Sequence, residues 1–399
     1  MNKIVMKILT GVAALGIATS GRCLTIQPTF DNSITSASNA SAITNAIWFC
    51  IQSFQSNLTD NSTVKILFVS DTNVGLGQSA TWDGSYAYSD YLSGLRNSAS
   101  GTNDSAALSK IPSSSTDPLV GNSQIQLKLP LARLMGLDSG YGPDGYDSTI
   151  SFNMTQMSAT RPPGPDQYDL IGTCEHEMNE VLGWGSNLKR GDSNGPIGPA
   201  DLFRYTTNLV RTWTTNGDNA YFSVNGTNLL ARFNQDPDGD YHDWWSAGDV
   251  LWAPPGQTPH VQVQDAFGTT GNIQDQGPNE LAGLDVIGYT LASSALTGSP
   301  TLTIVRSGPG QFTVSWPGGY NGFTLQERTY LTSGGWAGSA TGSTNPAAVA
   351  SAAAQKFYRL YKPAVPAVMV PPSFASQISA NPNLRLVTHV YEPHRPQGN

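Results

Sequence analysis

The sequence predicts an α+β fold followed by a small β-sandwich. Helical apolar spacing at residues 41–57 and 170–183 stands among short β-rich runs, which is the mixture an α+β domain needs. After residue 301 the pattern changes to alternating strands separated by Gly-rich segments. The 399 residues also suggest more than one domain.

Lys3 and Lys7, an apolar run over 8–18 and small residues at Ala18, Thr19 and Ser20 read as a secretory signal within residues 1–23, cut after Ser20. The run is shorter than a membrane span, and no later segment reaches that length. The larger domain is expected over residues 24–293. Its first helix, residues 41–57, places Ile43, Ala46, Ile47, Cys50, Ile51 and Phe54 on one face. Residues 64–69 suit a buried strand, residues 78–88 an edge strand or loop, and residues 90–108 a short helix. Pro130 limits residues 127–137 to a short helix, and residues 149–154 give another strand. Asp166 is placed to cap the next helix, with Asp169 in its acidic first turn. Residues 185–277 read mostly as loop, and residues 278–287 as a last helix closed by Gly288. After a linker at 293–299, residues 301–362 form the β-sandwich. The Pro-rich tail 363–399 is expected to give an ordered stub at most.

Composition narrows function. Charged residues are only 13% and the net charge is −8, which excludes a phosphate-binding, basic surface and so disfavours nucleic acid. Of three Cys, Cys23 sits at the processing point. Cys50 and Cys174 are left to pair in an oxidising compartment or to sit as buried free thiols.

The stretch that carries chemistry is Cys174-Glu175-His176-Glu177-Met178-Asn179-Glu180-Val181-Leu182-Gly183. At about 100° per residue, Leu170, Ile171, Cys174, Met178, Val181 and Leu182 form an apolar stripe. Thr173, His176 and Glu180 fall opposite, with Glu177 at the edge. Two ligands at i and i+4 project from adjacent turns and can share one ion. A carboxylate binds zinc at about the same distance as an imidazole, so Glu180 can partner His176, with Mn²⁺ another cation such a hard ligand set admits. Glu177 is then the general base for a metal-activated water. A solvated polar face with one incidental His satisfies the same spacing.

The run Asp166-Gln167-Tyr168-Asp169-Leu170-Ile171-Gly172, leading into Glu175-His176-Glu177-x-x-Glu180-Val181-Leu182-Gly183, resembles a family of secreted bacterial metalloproteases of the zincin class. The resemblance continues through Pro199-Ala200-Asp201-Leu202-Phe203-Arg204-Tyr205, Tyr221-Phe222-Ser223-Val224-Asn225-Gly226-Thr227 and Phe233-Asn234. It then reaches Gly239-Asp240-Tyr241-His242-Asp243-Trp244 and Leu284-Asp285-Val286-Ile287-Gly288-Tyr289, covering most of residues 25–293 in order. It departs at Trp184, where the family often has Arg, and at Asn179, where a small residue is usual. It implies a zincin-like fold, Zn²⁺ and a protein or peptide substrate. Hydrolysis is then by metal-activated water, with His176 and Glu180 as ligands and Glu177 as base. The alternative is an inactive relative acting as a binding or adhesion protein. A carbohydrate-active surface protein is a third reading.

The third ligand is not legible. Ser186 stands where a related pattern has a third His. Asp201 is the preferred candidate, equally readable as a cap on the segment that follows it, and His242 is the runner-up. The Asp/Gly-rich run 236–243 admits Ca²⁺, although its spacing is not that of a helix-loop-helix calcium site and it reads more simply as a turn. Trp316 and Trp336 are candidates for attachment of the C-terminal module to a surface or polysaccharide, although Trp316 reads more simply as a core residue. No membrane contact is expected after signal cleavage.

Overall fold

The computed structural model describes residues 24–188, 195–213, 217, 219–247, 250–257 and 259–292. Towards the C-terminus it describes 302–308, 310–315, 324–329, 336–342, 347–350, 355–361 and 378–393. The expected signal segment 1–23, the linker 293–299 and Trp316 lie outside the described residues.

The fold is mixed α/β. In chain order come β1 (Thr25–Phe30), α1 (Asn32–Thr35), α2 (Ala40–Asn57), β2 (Thr63–Ser70), β3 (Gly77–Ala87), α3 (Tyr88–Ser98) and α4 (Thr102–Leu108). They are followed by β4 (Gln124–Lys128), α5 (Leu129–Leu134), β5 (Ser148–Phe152) and α6 (Leu170–Val181). The frame ends with β6 (Phe267–Gly268), α7 (Pro278–Ile287) and β7 (Arg385–Pro393). One seven-stranded sheet runs β1-β2-β5-β3-β7-β6, with β4 also on β3. β1, β2 and β5 are parallel, whereas β3 is antiparallel to β5, β4 and β7.

α2 buries the six residues its spacing selected, and it packs on β1 and on α6. Each large apolar side chain so buried contributes about 1.5–3 kcal/mol. α6 is buried along its whole length, not on one stripe alone. Its apolar side enters the core, and its polar side is covered by β3, β7 and the loops of residues 240–276.

Several expectations change. β3 lies inside the sheet, paired on both sides, because Ser79, Thr81 and Asp83 alternate inward as polar but buried residues. Residues 90–108 give two helices, broken at Gly101, where Asp104 accepts from the Gly101 N–H. Pro130 sits at the start of α5, where a missing N–H costs no helical bond, so β4 can precede it directly. The cap of α6 is Asp169, not Asp166: its Oδ1 accepts from the Ile171 N–H at 3.3 Å, and Arg161 pairs with it at 2.7 Å. Cys50 and Cys174 are buried free thiols.

The tail departs furthest from expectation. Within 363–399, Arg385–Pro393 forms the nine-residue strand β7, paired with β3 from Arg385↔Asp83 to Tyr391↔Gly77. Valine, threonine and tyrosine supply its strand propensity, and the unpaired flank of β3 supplies the hydrogen bonds. The segment between this strand and residue 361 is described only at 378–384.

The described residues between 302 and 361 form two three-stranded antiparallel sheets. One comprises Thr303–Gly308, Gln311–Ser315 and Ala347–Ala350. The other sets Thr324–Arg328 between Ala337–Gly338 and Phe357–Tyr361. Val314, Leu325, Ala347 and Val349 share one small buried cluster between them.

Candidate metal centre

α6 brings His176, Glu177 and Glu180 to one end of the β3/β7 pair. On β3 the residues facing the helix are Gly77 and Ser79. A Cβ at Gly77 would overlap Glu177 Oε1 and lie 2.8 Å from Thr173 Cγ2, so the glycine admits the helix at this distance. Ser79 Oγ donates to Glu180 Oε2 at 2.6 Å. Gly183, at φ 112°, ends the helix in a conformation glycine adopts without strain.

The opposite wall is the Asp/Gly-rich run after Phe233. Several bonds fix it. Arg204, fully buried and stacked on the Phe233 ring at 4.4 Å, donates through Nη1 to the Tyr241 carbonyl. Trp184 Nε1 donates to the His242 carbonyl at 3.0 Å. Trp244 Nε1 donates to Glu280 Oε1 on α7 at 2.8 Å. These contacts carry Asp240, His242 and Asp243 to α6.

His176 Nδ1 donates to the Val263 carbonyl at 2.9 Å, which places the electron pair of the neutral ring on Nε2. That Nε2 lies 3.7 Å from Glu180 Oε1 and 3.8 Å from Asp243 Oδ2. Tetrahedral ligands at bond lengths of about 2.0–2.2 Å stand about 3.3–3.6 Å apart, so the three atoms are spaced to surround one small cation. Gln264 links two of them. Its Nε2 donates to Asp243 Oδ1 at 2.8 Å and lies 3.4 Å from His176 Nε2. Its Oε1 accepts from Asn179 Nδ2 at 3.0 Å, and Gln276 Nε2 bonds Asn179 Oδ1 at 2.9 Å.

The electrostatics also suit a cation. Burial, then the charges of Glu180 and Asp240, push Asp243 well above the usual carboxylate range. Burial likewise pushes Glu177 well up, followed by Glu180, Asp243 and Asp240. Burial opposes ionisation of Glu180, but His389, His242 and His176 outweigh it and hold that carboxyl well below its usual range. Burial lowers both His176 and His242, favouring neutral, ligating imidazoles. Neither oxygen of Glu177 makes a hydrogen bond, and neither does Asp243 Oδ2, though all are buried. Buried carboxylate oxygens without donors are costly, and a divalent cation would relieve Asp243.

The structure thus brings together His176, Glu177 and Glu180 from the sequence prediction. Asp201 is not with them. The carboxylate of this expected third ligand is hydrogen-bonded elsewhere: Oδ1 accepts from Ser186 Oγ, and Oδ2 from the N–H groups of Asn187 and Gly198. It caps the 3₁₀ turn Pro199–Phe203 and ties down the chain leaving α6. Asp243 is the third residue whose donor atom lies with those of His176 and Glu180. His242, the runner-up, lies beside it and donates from Nε2 to Glu180 Oε1 at 3.0 Å. His389, placed in the tail by the sequence, is opposite Ser79 on the same face. The sequence signal for Asp243 was the run Gly239-Asp240-Tyr241-His242-Asp243-Trp244, read there as a turn or calcium loop. Asp236 and Asp238 do form a turn, with the Asp238 N–H on Asp236 Oδ1 at 3.0 Å. A surface groove lined by Lys110, Pro112, Tyr205 and Arg211 shares no residue with the centre.

Comparison with known proteins adds no name: no family model, no curated protein and no solved structure matches this chain.

Proposed function

We propose that the protein is a secreted, metal-dependent endopeptidase with a zincin-like catalytic domain. His176, Glu180 and Asp243 hold the cation, and Glu177 is the general base. The observation that carries the reading is the spacing of those three ligand atoms around a helix whose next residue after the ligand His is an unbonded, buried Glu. One imidazole and two carboxylates suit Zn²⁺, with Mn²⁺ the other candidate. The resemblance in the sequence supports the same assignment.

When bound, the cation supplies Lewis acidity to water and to a peptide carbonyl. The residues supply the rest. The Val263 carbonyl fixes the His176 tautomer, and Gln264 orients Asp243 beside it. Glu177 Oε1 or Oε2, free of other bonds, takes a proton from the attacking water and delivers it to the leaving amine. Burial and the neighbouring carboxylates raise its proton affinity, which favours its taking up a proton. The signal reading of residues 1–23 supports secretion, and among the described residues no helix is long and apolar enough to cross a membrane. Residues 301–362 are proposed as a β-sandwich for surface attachment, because their two sheets share one apolar cluster.

The test is casein cleavage by purified protein with and without a chelator, beside Glu177→Gln. Cleavage should be lost on chelation and return with Zn²⁺ or Mn²⁺. Glu177→Gln should lower turnover by about 10²–10⁴-fold while retaining the metal. Wild-type protein that holds no metal and never cleaves would favour the inactive adhesion reading, and a Glu177→Gln variant that cleaves as fast as wild type would remove Glu177 as the base.

A further inference from the structure

Asp240, His242 and His389 take no part in the ligand set above, yet they converge on its Glu180. One donor atom from each of these four residues lies within 4.8 Å of the others. They come from three places: α6, the loop following Phe233, and β7. His242 Nε2 stands 3.0 Å from Glu180 Oε1, and His389 Nδ1 stands 3.2 Å from Asp240 Oδ2. The two imidazoles meet edge to face with centroids 4.8 Å apart. Octahedral ligands at bond lengths of about 2.1 Å have neighbours about 3.0 Å apart and opposite members about 4.2 Å apart. The four residues are therefore nearly at coordination distances already.

Two His–carboxylate pairs are present, but only one of them has the geometry of a hydrogen bond. His242 does hydrogen-bond Glu180. His389 is 6% exposed, and its Nδ1 faces Asp240 without hydrogen-bond geometry. A buried imidazole nitrogen 3.2 Å from a carboxylate oxygen but off the line of a hydrogen bond, with a second imidazole beside the ring, is placed as a metal ligand would be.

We propose that Glu180, Asp240, His242 and His389 form a second divalent-cation site that shares Glu180 with the first. The inference rests on the metal-centre reading above. Two imidazoles and two carboxylates suit Zn²⁺ or Mn²⁺ over Ca²⁺, which prefers oxygen alone. The site also has a structural consequence. His389 lies on β7, so the second ion fastens the C-terminal strand to α6. Two residues along the same face, Tyr391 stacks on the His176 ring at 4.0 Å. The second ion thereby holds a cover over the first.

The experiment counts ions in the full chain. Protein stripped by chelator is titrated with Zn²⁺ alone, dialysed, and analysed by atomic emission and by native mass spectrometry. Wild type should hold two ions per chain, and His389→Gln and Asp240→Asn one each, with circular dichroism showing that the variants are folded. His176→Ala should lose the other ion. One ion in wild type and in His389→Gln alike would overturn the second site and leave the first standing, the four residues then being a hydrogen-bonded network. One ion in wild type that His389→Gln loses would also overturn it, since a single shared site would then exist. No ion in wild type would sink the metal-centre reading itself. Native mass spectrometry of wild type decides the count even if every variant fails to fold.

Discussion

At the scale of single residues, the site depends on a few side chains whose size or charge is not negotiable. Gly77 is one, because the space a Cβ would need is filled by the Glu177 carboxylate and the Thr173 methyl. Gly77→Ala should destabilise the fold by about 1–3 kcal/mol through overpacking, and should cut cleavage by displacing Glu177. A denaturation curve superposable on wild type would show that the helix is not seated as described. Asp285 on α7 gives a second test, remote from the cation ligands. Burial, and next the charge of Asp104, push its carboxyl from 3.8 up to about 7. The folded protein therefore holds this proton more tightly than the unfolded chain. Its stabilising contribution is full below pH 3.8, shrinks as pH rises and is gone once pH passes about 7. Urea midpoints measured across that window should fall with pH in wild type, and the fall should be shallower in Asp285→Asn. Equal slopes would contradict the placement of Asp285.

At the scale of elements, β7 matters most. It adds an antiparallel ladder to β3 and lays His389 and Tyr391 over the centre. His176, Glu177, Glu180 and Asp243 are each at most 1% exposed, so a substrate reaches them only when a covering element moves. A chain ending at residue 377 should melt at a lower temperature, having lost a paired strand, yet hydrolyse a short peptide faster. Slower hydrolysis by a folded truncated chain would show that β7 builds the site instead of covering it. This element was the least legible in the sequence. Residues 385–393 lie in a Pro-rich tail, and their strand propensity means little until the flank of β3 offers partners. α2 was readable because apolar spacing acts locally, and α7 because Gly288 closes it. Residues 78–88 read as an edge strand or loop for the opposite reason, since Ser79, Thr81 and Asp83 are polar yet buried against neighbours far along the chain.

At the scale of the whole molecule, the centre gathers charge from separate stretches of chain. Glu177 and Glu180 come from α6, Asp240 and Asp243 from a loop, His389 from the last strand and the buried Lys128 from β4. Burial lowers the Lys128 ammonium, and Glu180 and Asp240 then work against that shift. The helix half of this arrangement, His176-Glu177-x-x-Glu180, was legible because its spacing is local. Asp243 was not, because its place depends on Arg204, Trp184 and Glu280 holding a loop that reads in isolation as a turn. Asp201 was ambiguous for the same reason: a buried Asp after the helix suits a ligand and a cap equally, and only the structure shows its carboxylate bonded by Ser186, Asn187 and Gly198. The most direct test is a crystal structure of the Zn²⁺-loaded protein with anomalous data collected at the zinc edge. The account predicts a peak about 2.0–2.2 Å from His176 Nε2 and from carboxylate oxygens of Glu180 and Asp243. Zinc bound elsewhere with that triad bare, or no zinc at all, would contradict it.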